Sequence, residues 1–408
     1  MKITTLRAHL KDLGNHTNLN TISAGLVAAI FGCTGPALII IGGATSGGLS
    51  YSETISWIFA VYFFSGLLGI FLSLRYRQPI AGAHSIAGAV LVAGSLTHFS
   101  LQEAIGAYLV AHVLVIILGS SGIIDKVMKW IPVPIVMGMI VGVMIRFSTE
   151  MITSVTVSPL LAGSTILVFL LSTRFLKKFP PVLLALLIAV TLAIFMKEFQ
   201  LQDITSTFIL PQLIMPSFNL NAILSIGIPL ALLIICTENA QASGVLTAQG
   251  YKPPNNMMAI HGSVIGLIGS FFGAHAINIA GPMTAICSAD DVGGKESRYV
   301  ASVVCGVLFS TFGLFAAAVV PLVIAMPGVI VSVIAGLAML GVLMNSLKKA
   351  FSANNFQMGA FFSLIIGMSD ISFLNISAPL WAIVGSLLVS FLVEKEHFVS
   401  DKKVETAV

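Results

Sequence analysis

Long apolar stretches follow one another from Leu19 almost to the end of this 408-residue chain, and the connections between them are short. Hydrophobic residues make up 57% of the sequence and charged residues only 9%. Polar side chains are therefore too few to cover a water-soluble globule of this size. The sequence predicts an all-α membrane protein that crosses the lipid bilayer many times and carries out its function inside it.

Fourteen stretches are long enough to cross about 30 Å of hydrocarbon. We place them near residues 20–41, 53–74, 79–96, 102–119, 132–151, 159–173, 180–197, 222–246, 256–272, 274–289, 298–320, 325–346, 354–369 and 378–394. If segment 1–19 is cytoplasmic, the alternating connections put most Lys and Arg residues on the cytoplasmic side, together with those of the tail 395–408. This distribution follows the positive-inside rule, and it predicts that both termini are cytoplasmic.

A five-residue sequence motif, called the repeated phrase below, occurs twice, as Gly-Ala-His-Ser-Ile and as Gly-Ala-His-Ala-Ile. Two further pairs of short matching segments follow the same order along the chain. The matched positions are 82–86 with 273–277, 33–37 with 236–240, and 131–132 with 326–327. They relate spans one, three and five to spans eight, ten and twelve. Because each half holds seven spans, an odd number, we expect the repeat 222–394 to be inverted relative to the repeat 20–197.

Gly, Pro and polar residues interrupt the third and tenth stretches, which are therefore predicted to be discontinuous. Each is expected to enter as a short extended strand and to become a half-helix near the bilayer midplane. The two half-helix N-termini would then point at a shared cavity, where their unpaired N–H groups and partial positive charge suit an anion. Kinked helices packed through small residues are the alternative for either stretch alone.

Glu238 is the carboxylate that we place well inside a span. An ionisable residue at membrane depth indicates a functional site. Desolvation favours the neutral form of such a group, whereas a nearby helix N-terminus favours the ionised form, so its protonation can follow substrate occupancy. Glu238 is therefore the predicted proton carrier, and a structural acid that caps an unwound segment is the alternative.

The other ionisable residues in apolar stretches divide into two groups. His84 and His275 lie in the repeated phrase, where they can line the site, carry protons or bond to carbonyls freed by the broken helices. His112 and His261 are expected to be packing residues, His112 as a satisfied one. Arg146 is expected to reach the membrane interface, with attraction of an anion as the alternative.

Several classes of protein are disfavoured by the residues present. The four cysteines lie apart in apolar stretches, which predicts neither a disulfide nor a metal site. We expect no cofactor. The basic residues are dispersed among short connections rather than clustered on one face, which argues against nucleic acid as a partner. No HExxH motif and no Ser/His/Asp arrangement is evident, so the chain is not expected to be an enzyme.

Three phrases carry a resemblance to a known family over nearly the whole chain. They are Thr-Glu-Asn-Ala-Gln-Ala-Ser-Gly-Val-Leu at 237–246, Gly-Tyr-Lys-Pro-Pro at 250–254 and Phe-Gly-Ala-His-Ala-Ile-Asn-Ile-Ala at 272–280. In these the chain resembles the benzoate transporter (BenE) family of bacterial proton symporters. The resemblance implies import of a small aromatic carboxylate with protons across a bacterial cytoplasmic (inner) membrane.

A more distant likeness rests on Phe-Gly-Cys-Thr at 31–34 and on Glu238. In these the chain is similar to the nucleobase transporter superfamily, which implies a seven-plus-seven inverted repeat and a possible homodimer. It also implies a core domain, 20–119 plus 222–320, that moves against a gate domain, 132–197 plus 325–394. The superfamily pattern has a second carboxylate where Ile277 stands, and its absence weakens a nucleobase assignment.

Our leading hypothesis is therefore a symporter in which Glu238 and His275 couple proton movement to transport. The ring of the substrate is expected to lie against apolar side chains, among them Phe31, Ile86 and Ile277. The complete predicted substrate site consists of Phe31, His84, Ser85, Ile86, Gln241, Ala276, Ile277, Asn278 and Ile279. A nucleobase or other small-metabolite symporter of the same fold and a passive anion channel are the alternatives.

Overall fold

The computed structural model describes residues 12–122, 132–176, 181–198, 210–352, 354–369, 371–373 and 376–398. Most of these residues are helical. The helices are α1 (Leu19–Ser46), α2 (Tyr51–Tyr76), α3 (Ile86–Ser95), α4 (Leu101–Ser120), α5 (Val133–Val157), α6 (Pro159–Phe175), α7 (Pro181–Phe195), α8 (Leu220–Ala222), α9 (Ile228–Leu233), α10 (Ala240–Ala248), α11 (Asn255–Ser270), α12 (Gly281–Ser288), α13 (Tyr299–Leu314), α14 (Ala316–Ile324), α15 (Gly328–Phe351), α16 (Gln357–Met368) and α17 (Ala378–Val393). The predicted cytoplasmic segments 1–19 and 395–408 lie largely outside the described residues.

Helix starts follow from short polar signals at the ends of the apolar stretches. The side chains of Ser50 and Ser100 each accept a hydrogen bond from the backbone N–H three residues on. In return, the carboxylates of Glu53 and Glu103 accept one from the backbone N–H of the capping serine. These two capping boxes satisfy N–H groups that a helix leaves unpaired at its start. Two other helices, α6 and α7, begin at a proline, which needs no N–H partner there.

Five of the described helices, α1, α2, α4, α5 and α15, are long and apolar enough to cross a membrane. The pair α13 and α14 makes a sixth if the two count as one span, although they are bent by 67°. The prediction of a single helix near 298–320 was therefore wrong, since the helix is broken at Phe315 and the chain bends there. Shorter apolar helices of 10–17 residues account for much of the remaining chain.

Both predicted discontinuous stretches contain a two-residue strand followed by a short helix, as expected. Strand β1 (Gly82–Ala83) precedes α3, and strand β2 (Asn278–Ile279) precedes α12. We call α3 the first half-helix and α12 the second half-helix. The strands pair antiparallel, with Gly82 opposite Ile279 and Ala83 opposite Asn278. Two sequence segments that lie far apart in the chain therefore meet in one small sheet.

The repeated phrase does not occupy equivalent places in this sheet. In the first segment, Gly82 and Ala83 of the phrase form the strand itself, and the half-helix begins at Ile86. In the second segment the phrase at 273–277 precedes the strand, and the half-helix begins only at Gly281. The prediction that the two copies of the phrase occupy equivalent positions where the two segments meet was therefore wrong, because the second copy lies before its strand and the first forms it. Both segments do take part in the strand pair.

The backbone of β1 runs very close to α2, which explains a glycine in the phrase. A Cβ atom on Gly82 would stand 2.2 Å from the carbonyl oxygen of Ser65, well inside van der Waals contact. Beside the strands, Ala280 N–H donates to the Ala81 carbonyl (3.0 Å), and Ala81 N–H donates to Thr284 Oγ1 (3.2 Å). Backbone hydrogen bonds thus join the two segments beyond the strand residues.

The stretch predicted as the continuous span 222–246 contains two wider turns of π-helix. These are Ile223–Gly227 and Ile234–Asn239, on either side of α9. A π-turn inserts one extra residue per turn and commonly marks a functional site. Glu238 lies in the second of them, so the local backbone places its side chain differently from the way a regular helix would.

Small residues allow the principal helix pairs to approach closely. A Cβ atom on Gly306 of α13 would stand 2.7 Å from the carbonyl oxygen of Gly66 in α2. A Cβ atom on Gly138 of α5 would stand 2.2 Å from the carbonyl oxygen of Ala360 in α16. Such contacts between small residues are the usual way in which membrane helices pack. Helices α2 and α13 thus form one tight pair, and α5 and α16 form another.

Candidate functional site

A cavity of about 470 Å³ lies between two sets of helices. One side is formed by α1, the first half-helix, α10 and the second half-helix, and the other side by α5, α6, α7 and α15. Most of its lining is apolar. The polar side chains in it fall into a set near the half-helices, with His84, Glu238 and Gln241, and a set at the end of α15 and α6, with Thr173, Asn345, Ser346 and Lys349.

Glu238 is held at the N-terminus of the first half-helix by Ser85. The Ser85 hydroxyl accepts a hydrogen bond from the Gly88 N–H (2.9 Å), as the N-cap of the half-helix. The same hydroxyl donates to Glu238 Oε1 at 2.8 Å. One serine thus links the carboxylate to the positive end of the helix, and it places an ionisable group in the wall of the cavity.

The second half-helix begins without a side-chain cap among the described residues. Its N-cap is Ala280, and Pro282 in the first turn has no N–H. Ala280, Pro282 and Met283 all line the cavity. The start of this helix therefore presents unpaired N–H groups and partial positive charge beside the cavity, which is the arrangement that binds carboxylates and other anions.

Gln241 packs against the first residue of the second half-helix. A Cβ atom on Gly281 would stand 2.4 Å from Gln241 Cγ, so only glycine allows this approach. Gln241 also lines the cavity. Its amide group, which can donate two hydrogen bonds, is thereby placed next to the uncapped helix N-terminus.

His84 is a buried side chain that faces the cavity with its hydrogen-bonding capacity unused. It is 4% exposed, and neither ring nitrogen has a hydrogen-bond partner among the described residues. Its ring packs edge-on against Tyr62, with 4.9 Å between the ring centroids, and the Tyr62 hydroxyl donates to the Gly32 carbonyl instead (3.0 Å). A buried polar group without a partner is costly, which makes His84 a candidate to bond to a ligand.

His275 has both ring nitrogens engaged and does not line the cavity. The Trp57 indole N–H donates to Nδ1 at 3.0 Å, and Nε2 lies 2.8 Å from the Ser85 carbonyl oxygen. Because an indole N–H can only donate, Nδ1 must accept, and Nε2 must carry the proton. The neutral ring therefore ties α2 to the backbone at the first half-helix. This arrangement favours a positioning role over the predicted transfer of protons.

The structure divides the predicted substrate site into two groups. Four of its residues line the cavity, Phe31, His84, Ile86 and Gln241, and so does Glu238, the predicted proton carrier. Ser85 reaches it only through Glu238, and Ala276, Ile277, Asn278 and Ile279 lie outside the lining. These four are buried in or beside the strand pair. The backbone carbonyl of Ile277 packs against Gly262 of α11, and the contact of its side chain with a substrate ring stays a prediction.

The remaining ionisable residues also have defined surroundings. His261 Nδ1 lies 2.6 Å from the Met257 carbonyl oxygen, in line with the predicted packing role. His112 is fully buried against Gly266, but neither of its ring nitrogens has a partner among the described residues. The prediction of a satisfied histidine was therefore wrong, since the close packing of the ring on Gly266 of α11 leaves both nitrogens without a hydrogen bond among these residues. Arg146 lies beside Gly94, near the end of the first half-helix.

Residues 15–392 match the family described as "Benzoate membrane transport protein" (BenE). The chain belongs to the BenE family.

Two relatives of this BenE-family chain align over most of their length. The benzoate membrane transport protein of Acinetobacter baylyi is 28% identical over 387 residues, which are 95% of this chain and 98% of that protein. Inner membrane protein YdcO of Escherichia coli is 27% identical over 365 residues, which are 89% of this chain and 93% of that protein. Their names and the apolar helices agree that the chain is a multi-pass membrane transport protein.

Solved structures show a shared fold. The transmembrane domain of the cyanobacterium bicarbonate transporter BicA superposes with a TM-score of 0.62 at 15% identity, covering 90% of this chain and 97% of that one. SLC26A9 superposes with a TM-score of 0.61 at 17% identity, covering 93% of this chain and 67% of that one. At these identities the likeness concerns the fold, which is that of transporter membrane domains.

Sequence reasoning missed the wall of the cavity that faces the half-helices. Met137 and Ile140 of α5, Phe169 of α6 and Leu337 of α15 belong to it, and so does Lys349. The apolar residues of this BenE-family chain gave no local signal, because they resemble every other residue in their helices. The sequence of α15 did contain a local signal. One face of this largely apolar helix carries a residue without a large apolar side chain every four positions, at Gly341, Asn345 and Lys349.

Proposed function

We propose that this BenE-family protein is a proton-coupled importer of benzoate or a similar small aromatic carboxylate. One observation carries the proposal: a largely apolar cavity contains both an ionisable residue, Glu238, and the uncapped N-terminus of a half-helix. An aromatic carboxylate needs an apolar surface for its ring and an electropositive place for its charge. The name of the Acinetobacter baylyi relative supports benzoate as the first substrate to test.

The two half-helices have different roles in this proposal. The carboxylate of Glu238 occupies the N-terminus of the first half-helix through Ser85. The carboxylate of the substrate binds at the N-terminus of the second half-helix, within reach of His84 and Gln241, which can donate hydrogen bonds to it. The ring then lies against the aromatic and aliphatic side chains of the same wall, which are Phe31, Ile86, Met283 and Phe309.

Coupling follows from placing two carboxyl groups in one cavity of low polarity. Two negative charges there repel each other, so a bound substrate anion favours the protonated form of Glu238. With Glu238 protonated, Glu238 and the bound substrate together carry one negative charge instead of two. The proton and the substrate anion that cross the membrane together carry no net charge. Moving one elementary charge against 100 mV costs about 2.3 kcal/mol. Binding of a proton at Glu238 therefore makes import of an anion against an inside-negative potential less costly.

Alternating access is proposed to use the two sides of the cavity as separate bodies. The half-helix side belongs to a core domain, 20–119 plus 222–320, and the opposite side to a gate domain, 132–197 plus 325–394. Hydrogen bonds across β1 and β2 keep the half-helices together, so the core can move as one unit against the gate. Fourteen spans in a seven-plus-seven inverted repeat, and membership in the nucleobase transporter-like superfamily, are part of this proposal.

The same scheme gives the expected setting in the cell. The protein lies in a bacterial cytoplasmic membrane with both termini inside, as the distribution of Lys and Arg predicts. The name of the Escherichia coli relative, an inner membrane protein, supports this location. A homodimer is the proposed assembly, by analogy with the superfamily that the sequence resembles.

Uptake of labelled benzoate into proteoliposomes tests the proposal directly. With an acidic outside and an alkaline lumen, we expect saturable accumulation that a protonophore abolishes. Unlabelled aromatic acids should compete, and uracil and xanthine should not. A flux that does not saturate and does not respond to the pH gradient would instead indicate a passive channel, and competition by nucleobases alone would indicate a nucleobase symporter.

Glu238→Gln is the variant that tests coupling. It keeps the size and the hydrogen-bonding partner of the side chain but cannot exchange a proton. We expect gradient-driven accumulation to be lost, while benzoate counterflow between equal proton concentrations persists. The exposed Glu296→Gln is the matched control, and the amount of folded protein is measured for both. Full accumulation by Glu238→Gln would exclude Glu238 as the proton carrier.

A further inference from the structure

One face of α15 lines the cavity over three helical turns. Its lining residues are Leu337, Ala338, Gly341, Asn345, Ser346 and Lys349. At 1.5 Å per residue, Lys349 lies about 16 Å along the helix axis from Ala338. The face is apolar at Ala338 and polar from Asn345 onwards, so the cavity changes character along its length.

The apolar end of this face lies at the level of the proposed binding site. A Cβ atom on Gly35 of α1 would stand 2.2 Å from the Cβ of Ala338, so the two helices touch there. One turn back on α1, a Cβ atom on Gly32 would meet Phe309 and Met283, which line the half-helix side of the cavity. The distance from this level to Lys349 exceeds the length of one benzoate ion. The half-helices and Lys349 therefore lie at different levels of the cavity.

Helix α6, on the same side of the cavity as α15, shows the same change from apolar to polar lining. Phe169 and Thr173 both line it and stand one turn apart on one face. Thr173 and Asn345 are exposed, and Lys349 is half-buried, so the cavity reaches the protein surface at this end. Of the described residues that line the cavity, Lys349 alone carries a full positive charge. Its neighbour Lys348 is exposed and lies outside the lining.

We propose that Lys349, together with Asn345 and Thr173, forms a second carboxylate-binding station at the cytoplasmic mouth of the cavity. The inference rests on the proposed function. The ammonium and the amide group donate hydrogen bonds to the anion, and the Thr173 hydroxyl, which donates to the Phe169 carbonyl at 2.8 Å, serves the anion only by turning away from that carbonyl. The partly desolvated ammonium attracts an anion more strongly than an exposed one does. The station receives the substrate carboxylate as it leaves the half-helices, so release does not require the anion to pass only apolar side chains.

The alternative for a lysine at this place is a purely local role. Lys348 and Lys349 both lie in the last turn of α15, where positive charge stabilises the end of a helix. The same interaction is available to Lys348, which makes it a matched control. If Lys349 acts in the cavity, substitutions of Lys349 and Lys348 should have different effects on transport. If it acts only at the helix end, their effects should be the same.

The experiment compares Lys349→Gln with Lys348→Gln in proteoliposomes that hold protein of known orientation. Labelled benzoate is presented from the cytoplasmic side and from the opposite side, and KM is measured for each direction. We expect Lys349→Gln to raise the cytoplasmic-side KM about fivefold, the size of effect of one partly exposed ion pair. The KM from the opposite side should change less. Lys349→Arg, which keeps the charge, should restore the cytoplasmic-side KM, and Lys348→Gln should match the unmodified protein.

Ionic strength and a second variant complete the test. Added salt should raise the cytoplasmic-side KM of the unmodified protein more than that of Lys349→Gln, because the charge that salt screens is missing in the variant. Asn345→Ala, a change at an exposed position, should give a smaller increase in the same direction, and it keeps the proposal testable if Lys349→Gln folds poorly. If the unmodified protein transports benzoate but Lys349→Gln behaves like Lys348→Gln, the station is wrong and the proposed function stands. If the unmodified protein does not transport aromatic acids, both fail.

Discussion

Two segments of this molecule share the residues Gly-Ala-His but use the histidine in different ways. His84 faces the cavity, and its two ring nitrogens have no partner among the described residues. His275 lies behind the cavity, and both of its nitrogens are bonded. The difference comes from α2, which places Trp57 against His275 and Tyr62 against His84. The role of a residue in a repeated phrase is thus decided by the neighbouring helix rather than by the phrase.

The two half-helices differ in a corresponding way. The first is capped by Ser85, whose hydroxyl also bonds to Glu238, whereas the second has Ala280 at its N-cap and no side-chain cap among the described residues. A capped N-terminus has part of its hydrogen-bonding capacity satisfied, and an uncapped one keeps it for a ligand. In the proposed function, the first half-helix therefore serves the proton and the second the anion. The difference in capping is the feature that would let two different species bind side by side.

The largest expected effect is on stability, from His275→Ala. The change leaves the Trp57 indole N–H and the Ser85 carbonyl without partners and opens a cavity in a fully buried place, at a cost of about 2–4 kcal/mol. We expect a clear fall in the melting temperature of the detergent-solubilised protein. His261→Ala, which removes a histidine at a partly exposed position, is the control. A melting temperature equal to that of the control would show that His275 is not the structural tie described above.

A smaller effect, and on a different quantity, is expected from His84→Ala. The ring has no hydrogen-bond partner to abandon, so the melting temperature should fall less than in His275→Ala, but a hydrogen bond to the substrate carboxylate is lost. Hydrogen bonds to charged groups predict a rise of about tenfold or more in the benzoate Kd. Titration of the purified protein measures this value, with His84→Gln as the variant that keeps a donor. An unchanged Kd would show that His84, like His275, makes no hydrogen bond to the substrate.

The smallest expected effect comes from Ser85→Ala, which makes the first half-helix resemble the second. Loss of the cap costs about 1 kcal/mol of stability, and Glu238 loses its hydroxyl partner. We expect weaker accumulation of benzoate under a pH gradient, with counterflow largely retained. Ser95→Ala, which removes a buried hydroxyl from the other end of the same half-helix, should leave accumulation intact. Equal behaviour of the two serine variants would contradict a link between Ser85 and coupling.

Much of the architecture could be predicted because it depends on composition along the chain. Apolar stretches located the helices, and the clusters of Gly and Pro located the two places where strand and half-helix replace a continuous span. What the sequence did not show depends on contacts between distant elements. The π-turn that holds Glu238, the 67° bend after Leu314 and the direction of the Ile277 backbone are set by neighbouring helices.

The site was predicted in part for the same reason. Residues next to an unusual polar group, such as Ile86 beside His84 or Gln241 after Glu238, were found because the polar group drew attention to its surroundings. The sequence did not predict the wall formed by Met137, Phe169 and Leu337. In a helix that is apolar on all sides, no pattern of polar and apolar residues indicates which side chains face a cavity. His275 was predicted to couple protons, and nothing near it in the sequence indicated its partner Trp57, which lies 218 positions away in the chain.

The short ladder between β1 and β2 has a consequence for how such a carrier can change its cargo. Because the ladder fixes the spacing of the two half-helix N-termini, any mutation that loosens one segment also disturbs the other. The facing wall is under no such constraint, as it contributes only side-chain surface at positions such as Met137, Phe169 and Leu337. We therefore expect new substrate preferences to arise by reshaping that wall, with the paired backbone left as an invariant frame.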